Sequence, residues 1–104
     1  MKQDKDTRQE KCQVHAYIRG WVQGVGFRWF VLHHAHLLGL TGWVCNLHDG
    51  RVELVAEGQR GTLEELLRLV RKGPSGARVF EVHDSWNPYT GKFSSFQVRY
   101  PGDY

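Results

Sequence analysis

This sequence predicts an α+β fold: a ferredoxin-like split βαβ sandwich, an antiparallel sheet with two helices on one face. Three observations carry the prediction. Segments of period two and of period 3.6 succeed one another in the order β-α-β-β-α-β, with the last β unit divided in two. Each helical segment has a single apolar stripe, and the right-handed crossover rule then puts both helices on the same side of the sheet. The chain has 104 residues, 40% of them hydrophobic, which suits one domain around one core.

The elements follow in order. From Gln13 to Gly20, Val14, Ala16 and Ile18 alternate with His15, Tyr17 and Arg19, which is a strand half-buried on one face. After a glycine-rich loop, Phe27, Phe30, Val31, His34, Ala35 and Leu38 recur at helical spacing. Gly39 then stands where a helix takes its C-terminal cap. "TGWVCNL" and "RVELVAE" are two β-branched, apolar runs joined by "HDG", and Asp-Gly is a strong hairpin signal. Thr62 three residues before Glu65 has the pattern of a capping box for a second helix. Leu63, Leu66, Leu67 and Val70 form its stripe, and Arg71, Lys72, Gly73 and Pro74 close it. "ARVFEV" is a fourth strand and "SFQVRY" a fifth, and "SWNPYTGK" between them reads as a polar loop carrying Trp86 and Tyr89. Strands one and three are expected as central neighbours, with strand two paired to strand three.

Residues 1–11, MKQDKDTRQEK, hold seven charged residues of both signs and no large apolar one beyond Met1. They read as a flexible charged N-terminal tail ahead of a domain at 12–104. They lack the apolar stretch of a secretory signal, and no run is long enough to span a membrane, so a cytoplasmic protein is expected. Cys12 and Cys45 fall on strands expected to have another between them, which disfavours a disulfide. The net charge of +3 is compatible with an anionic partner but is too small and too dispersed to name one. At this size the monomer is the default.

The loop "RGWVQGVGFRWF" holds Gly20, Gly24 and Gly26 and leads into the first helix. Glycine lets successive backbone N–H groups turn toward one point, and a helix N-terminus adds its own unpaired donors. On glycine content alone, a plain strand-to-helix turn is the simpler explanation. The nucleotide-binding patterns G-x-x-x-x-G-K-[ST] and G-x-G-x-x-G are both absent. Arg28 changes the balance. A cation in the first helical turn opposes the helix dipole at about 0.3–1 kcal/mol, and a bound phosphate would compensate. Its planar fork suits two phosphate oxygens, although an arginine turned to solvent remains open. Asn46 is the second oddity, since asparagine is depleted in strands. Alternation gives it the face of Val44 and gives Trp43, Cys45 and Leu47 the other. A simple start to the hairpin turn is the competing explanation.

Together, "GWVQGVGFR" and "GLTGWVCNLHDGRVE" resemble the two signatures of the acylphosphatase family. Gly20, Val22, Gln23, Gly24, Val25, Phe27 and Arg28 match the first, G-x-V-Q-G-V-x-[FY]-R. Gly42, Trp43, Val44, Asn46, Gly50 and Val52 match the second, G-[FYW]-V-x-N-x-x-x-G-x-V. The resemblance runs from about Val14 to Tyr100 and includes "FQVRY". It implies the split βαβ fold and the hydrolysis of acyl phosphates to carboxylate and inorganic phosphate, with no cofactor, no metal and no covalent intermediate. It also implies that Arg28 and the backbone of Gln23, Gly24, Val25, Gly26, Phe27 and Arg28 bind phosphate, and that Asn46 orients the attacking water. Position 45, often basic in the family, is Cys45 here, and little effect on the chemistry is expected. Such a domain also occurs as the carbamoyl-phosphate-handling part of a larger maturation protein; the end at Tyr104, just after the last strand, favours a free-standing enzyme.

That chemistry is physically reasonable. A carboxylate is a good leaving group and needs no protonation, so positioning and charge neutralisation remain as the enzyme's tasks. Other candidates have cheaper explanations. His33 and His36 share a helical face without further ligands for a metal. His34 falls on the apolar face, and His48 and Asp49 belong to a turn. Glu53 suits a solvated strand face, and nothing beside Cys45 would lower its pKa. Trp21 and Trp29 flank the cradle, where they shape its rim, meet the acyl group or merely pack. Nucleic-acid binding is disfavoured, because "RVELVAE" lacks the aromatic pattern of RNA-binding sheets.

Overall fold

The computed structural model of the chain describes residues 8–101. Strand β1 (Lys11–Trp21) buries Val14, Ala16 and Ile18 completely, as its alternation requires. Helix α1 spans Phe27–Leu37, β2 Thr41–Asn46 and β3 Val52–Gln59. Helix α2 spans Arg60–Lys72, β4 Arg78–Pro88 and β5 Phe96–Arg99. The strands lie in the order β4-β1-β3-β2-β5. The pairs β1–β3, β1–β4 and β2–β3 are antiparallel, so strands one and three are central neighbours as expected. The pair β2–β5 is parallel, which makes the sheet mixed at that edge. The fold is the α+β, ferredoxin-like one, with β5 added beside β2.

Both helices feed the same core. Phe27, Val31 and Ala35 of α1 and Leu63, Leu66, Leu67 and Val70 of α2 pack with Val14, Ile18, Val44 and Leu54 of the sheet. Each such fully buried Val, Leu or Phe contributes about 1.5–3 kcal/mol relative to exposure. Trp43, Cys45 and Val55 form a separate small cluster on the opposite face, where Phe93 of the β4–β5 loop covers them. Cys12 on β1 and Cys45 on β2 are not joined in a disulfide, and β3 lies between them. Among the described residues no helix is long and apolar enough to cross a membrane.

Three expectations need correction. The capping box does not form: α2 starts at Arg60, so Thr62 is already inside the helix, and no side chain caps it. The helix needs no such cap, because the Arg60 and Gly61 N–H groups donate to the carbonyls of Glu10 and Arg8, at 2.9 Å each. Residues 8–11 of the expected tail are therefore bonded to the domain, and residues 1–7 lie outside the described residues. "SWNP", expected in a loop, continues β4 to Pro88. As an edge strand β4 tolerates proline, since half of its backbone groups need no partner strand. Trp86 thereby packs at the border of the core, under the Arg60 guanidinium at 3.9 Å.

At the far end of the sheet, Glu57 is 1% exposed and charged groups rarely survive such burial unpaired. Its carboxylate accepts from Gln13 Nε2 (2.7 Å), Thr90 N–H (3.1 Å), Thr90 Oγ1 (2.7 Å) and Gly91 N–H (3.0 Å). This side chain anchors the β4–β5 loop to the sheet, together with Phe93 and the Gly42 N–H donated to the Ser95 carbonyl at 3.0 Å.

Candidate active site

The loop at residues 22–26 joins β1 to α1 in the way its glycines require. Gly24 and Gly26 both lie in the left-handed region, at φ 76° and 77°. Gly26 is the N-cap of α1 and, lacking a side chain, caps nothing. Among the described residues no backbone N–H of residues 23–29 has a hydrogen-bond partner, and no acidic side chain occupies the first turn of α1. This is a row of free donors at the positive end of a helix. Such an arrangement suits an anion.

Arg28 is the second residue of α1, inside the first turn as expected. Other arginines are paired: Arg19 with Glu81, Arg51 with Asp49 and Arg68 with Glu65. Among the described residues Arg28 has no carboxylate partner. Its guanidinium instead lies 5.3 Å from the centre of the Tyr100 ring.

Asn46 ends β2 on the core-facing side, sharing it with Val44, whereas Cys45 is fully buried against Trp43 and Val55 on the other side. The separation of Asn46 from Cys45 read from alternation therefore holds. The Cys45 thiol donates to the Asn46 carbonyl at 3.3 Å and does not face the loop cleft. Asn46 Oδ1 is buried and is the one buried side-chain polar atom among the described residues with no partner. Leaving such an atom unpaired costs about 1–3 kcal/mol, so it marks a place meant for water or ligand.

A cleft of about 170 Å³ brings these pieces together, lined by Val22, Gly24, Gly26, Phe27, Arg28, Trp29 and Asn46. Of the residues singled out in the sequence, Gln23 and Val25 do not point into it. Val25 packs against the core. The Gln23 amide donates to the carbonyls of Leu47 (2.7 Å) and Arg51 (3.0 Å), tying the loop to the β2–β3 hairpin just beyond Asn46. Neither residue is part of the cleft lining. The role of Gln23 as a clamp and the contact of Tyr100 with Arg28 had no local signal, because both depend on pairings across more than twenty residues.

The remaining candidates lie elsewhere. Asp49 accepts from the Arg51 N–H and Nε at 3.1 and 2.9 Å. The Arg51 N–H, aided by its guanidinium, holds the Asp49 carboxyl below the usual range, so Asp49 fastens the turn in its charged form. Glu53 bonds His15 at 2.6 Å on the outer face, and His36 Nε2 lies 3.0 Å from the Phe96 carbonyl. His34 packs edge-on against Phe30 at 4.5 Å. Among the described residues no cluster of three or more His, Cys, Asp or Glu could hold a metal ion.

The sequence model of the acylphosphatase family matches residues 14–98. An acylphosphatase of Thermobifida fusca is 50% identical over 90 residues, covering 86% of this chain and 99% of that one. Among solved structures, an acylphosphatase from Bacillus subtilis superposes with a TM-score of 0.83 at 35% identity, covering 86% of this chain and 99% of its own. One from Coxiella burnetii gives a TM-score of 0.81 at 38% identity, covering 95% of this chain and 100% of its own.

Proposed function

This chain belongs to the acylphosphatase family, and from that premise we propose how it hydrolyses acyl phosphates to a carboxylate and inorganic phosphate. The phosphoryl group sits against the free N–H groups of residues 23–28, and Arg28 neutralises its equatorial oxygens. Asn46 Oδ1 accepts a hydrogen bond from a water and aims its oxygen at phosphorus. The new P–O bond forms as the bond from phosphorus to the acyl oxygen breaks, and the carboxylate leaves with the electron pair. It needs no acid. The proton released by the water goes to a phosphoryl oxygen, because among the described residues no carboxylate, imidazole or thiol lines the cleft. The same lining offers no side-chain nucleophile, which supports direct attack by water rather than a covalent intermediate. It also offers none of the carboxylate, imidazole or thiolate donors that usually hold a metal ion, so charge neutralisation falls to Arg28 and the backbone.

One observation supports this reading most: among the described residues the buried Asn46 Oδ1 has no partner, and it shares a cleft with Arg28, which has no carboxylate partner, and a row of free N–H groups. A purely structural turn gains nothing from three unsatisfied features at one point. The reading takes residues 12–104 as the catalytic domain and the chain as a cytoplasmic monomer acting on a free small molecule, which sedimentation would check. The central experiment is hydrolysis of an aromatic acyl phosphate with and without chelator. Turnover unaffected by chelator is the expected result, and chelator-sensitive turnover would sink the metal-free mechanism.

A further inference from the structure

The loop cleft is built from two parts of the fold, the β1–α1 loop and the end of β2, and one side chain joins them. The loop is anchored from both flanks, because Val22 and Phe27 are each 1% exposed in the core. The Asn46 side is held less firmly. Asn46 and Val52 are the last rung of the β2–β3 ladder, and His48, Asp49 and Gly50 beyond them stand exposed. Asn46 Oδ1 has no partner among the described residues, so the place of that oxygen follows the backbone that carries it.

Gln23 grips that backbone at the point next to Asn46. The Leu47 N–H donates to the Arg51 carbonyl at 2.8 Å and closes the turn. The Gln23 amide nitrogen donates to both carbonyls of this closure, to Leu47 at 2.7 Å and to Arg51 at 3.0 Å. A primary amide has two hydrogens, and both are used here, one on each arm of the hairpin. Gln23 itself is not part of the cleft lining, so its side chain is spent wholly on the hairpin.

We infer that Gln23 is a positioning residue, whose amide fixes the hairpin against the phosphate loop and so sets where Asn46 Oδ1 stands relative to the cradle. This rests on the hydrolase reading above, in which Asn46 orients the attacking water. Attack on phosphorus tolerates little error, since a misplacement of about 1 Å costs on the order of 10²-fold. Methionine at position 23 keeps the length of the side chain and removes both donors without adding charge.

The test is a double-mutant cycle on steady-state hydrolysis of benzoyl phosphate, with the unmodified chain, Gln23→Met, Asn46→Ala and the double variant, and with Gln23→Ala in parallel. With Asn46 present, each Gln23 variant should lower kcat roughly tenfold and change inhibition by inorganic phosphate less than about twofold. With Asn46→Ala, Gln23→Met should lower kcat less than about twofold, because the group it positions is gone. A general packing role moves both backgrounds alike. Equal losses in the two backgrounds, or an unchanged kcat, overturn the inference and leave the hydrolase reading standing. Loss of phosphate inhibition in both Gln23 variants makes the residue a part of the loop's own fold and overturns the inference too. An unmodified chain without turnover overturns the hydrolase reading and the inference with it.

Discussion

Two buried acceptor groups, Oδ1 of the half-buried Asn46 and the carboxylate of Glu57, stand at opposite ends of the β2–β3 pair and are treated in opposite ways. Glu57 pairs across from Thr41 and is saturated by four hydrogen bonds. Asn46 pairs with Val52 at the other end, and its Oδ1 has none. Both acceptors are buried, so the difference is not the burial of the atoms. Where a polar group serves the fold, the chain brings partners to it across long separations. At Asn46 the partner place is open, and on the proposed mechanism the attacking water fills it. Several surface arginines are likewise paired with carboxylates, whereas among the described residues Arg28 at the cradle has no carboxylate partner.

Four substitutions would break or sharpen this contrast. The largest effect is expected at the cradle. Arg28→Ala should remove roughly 3–4 kcal/mol of transition-state stabilisation, as loss of an oxyanion donor does, and weaken competitive inhibition by inorganic phosphate. Near-normal turnover would take Arg28 out of the mechanism. Asn46→Ala should lower kcat about 10²-fold while phosphate inhibition changes little, if the amide holds the water as proposed. Its thermal midpoint should stay level or rise, because an unpaired buried polar atom is being removed; a sharp fall would make Asn46 structural.

Glu57→Gln should do the reverse, costing about 1–3 kcal/mol of stability in urea unfolding while the folded enzyme keeps its kcat. Burial opposes the Glu57 charge, but hydrogen bonds from Thr90, Gln13 and Gly91 outweigh it and hold the carboxyl below its usual range. A carboxyl depressed in the folded state stabilises fully above the unfolded value of about 4.3. That share is lost as pH falls from there through the folded value, and it should be missing from the acid limb of the Glu57→Gln stability profile. The smallest effect belongs to Tyr100→Leu. Removing the ring beside Arg28 should weaken phosphate inhibition roughly two- to fivefold, with Tyr100→Phe restoring it.

Much of the fold was legible because its signals are local. The alternation of Val14, Ala16 and Ile18 and the helical spacing of Leu63, Leu66, Leu67 and Val70 each follow from one element meeting one core. The candidate site was legible for a different reason. Arg28 and Asn46 each break a local preference, and both lie on the cleft. Failures came where a distant segment supplied what a local motif was expected to supply. Thr62 looked like a cap, but the carbonyls of Arg8 and Glu10 had already taken the work. Pro88 looked like a loop residue, but an unpaired edge excuses it.

The sequence by itself determined the order of the elements, the faces they bury, the position of Arg28 in the first turn and the side of β2 on which Asn46 lies. Each of these depends on the period of a backbone whose geometry is the same in every protein. The tertiary structure alone decided that β5 runs parallel beside β2, that Gln23 clamps the hairpin, that Tyr100 reaches Arg28 and that a bulge turns Phe80 outward to meet Trp21. These are meetings between segments far apart in the chain. They are selected by which packing satisfies the whole core at once, and no short window of sequence contains that choice.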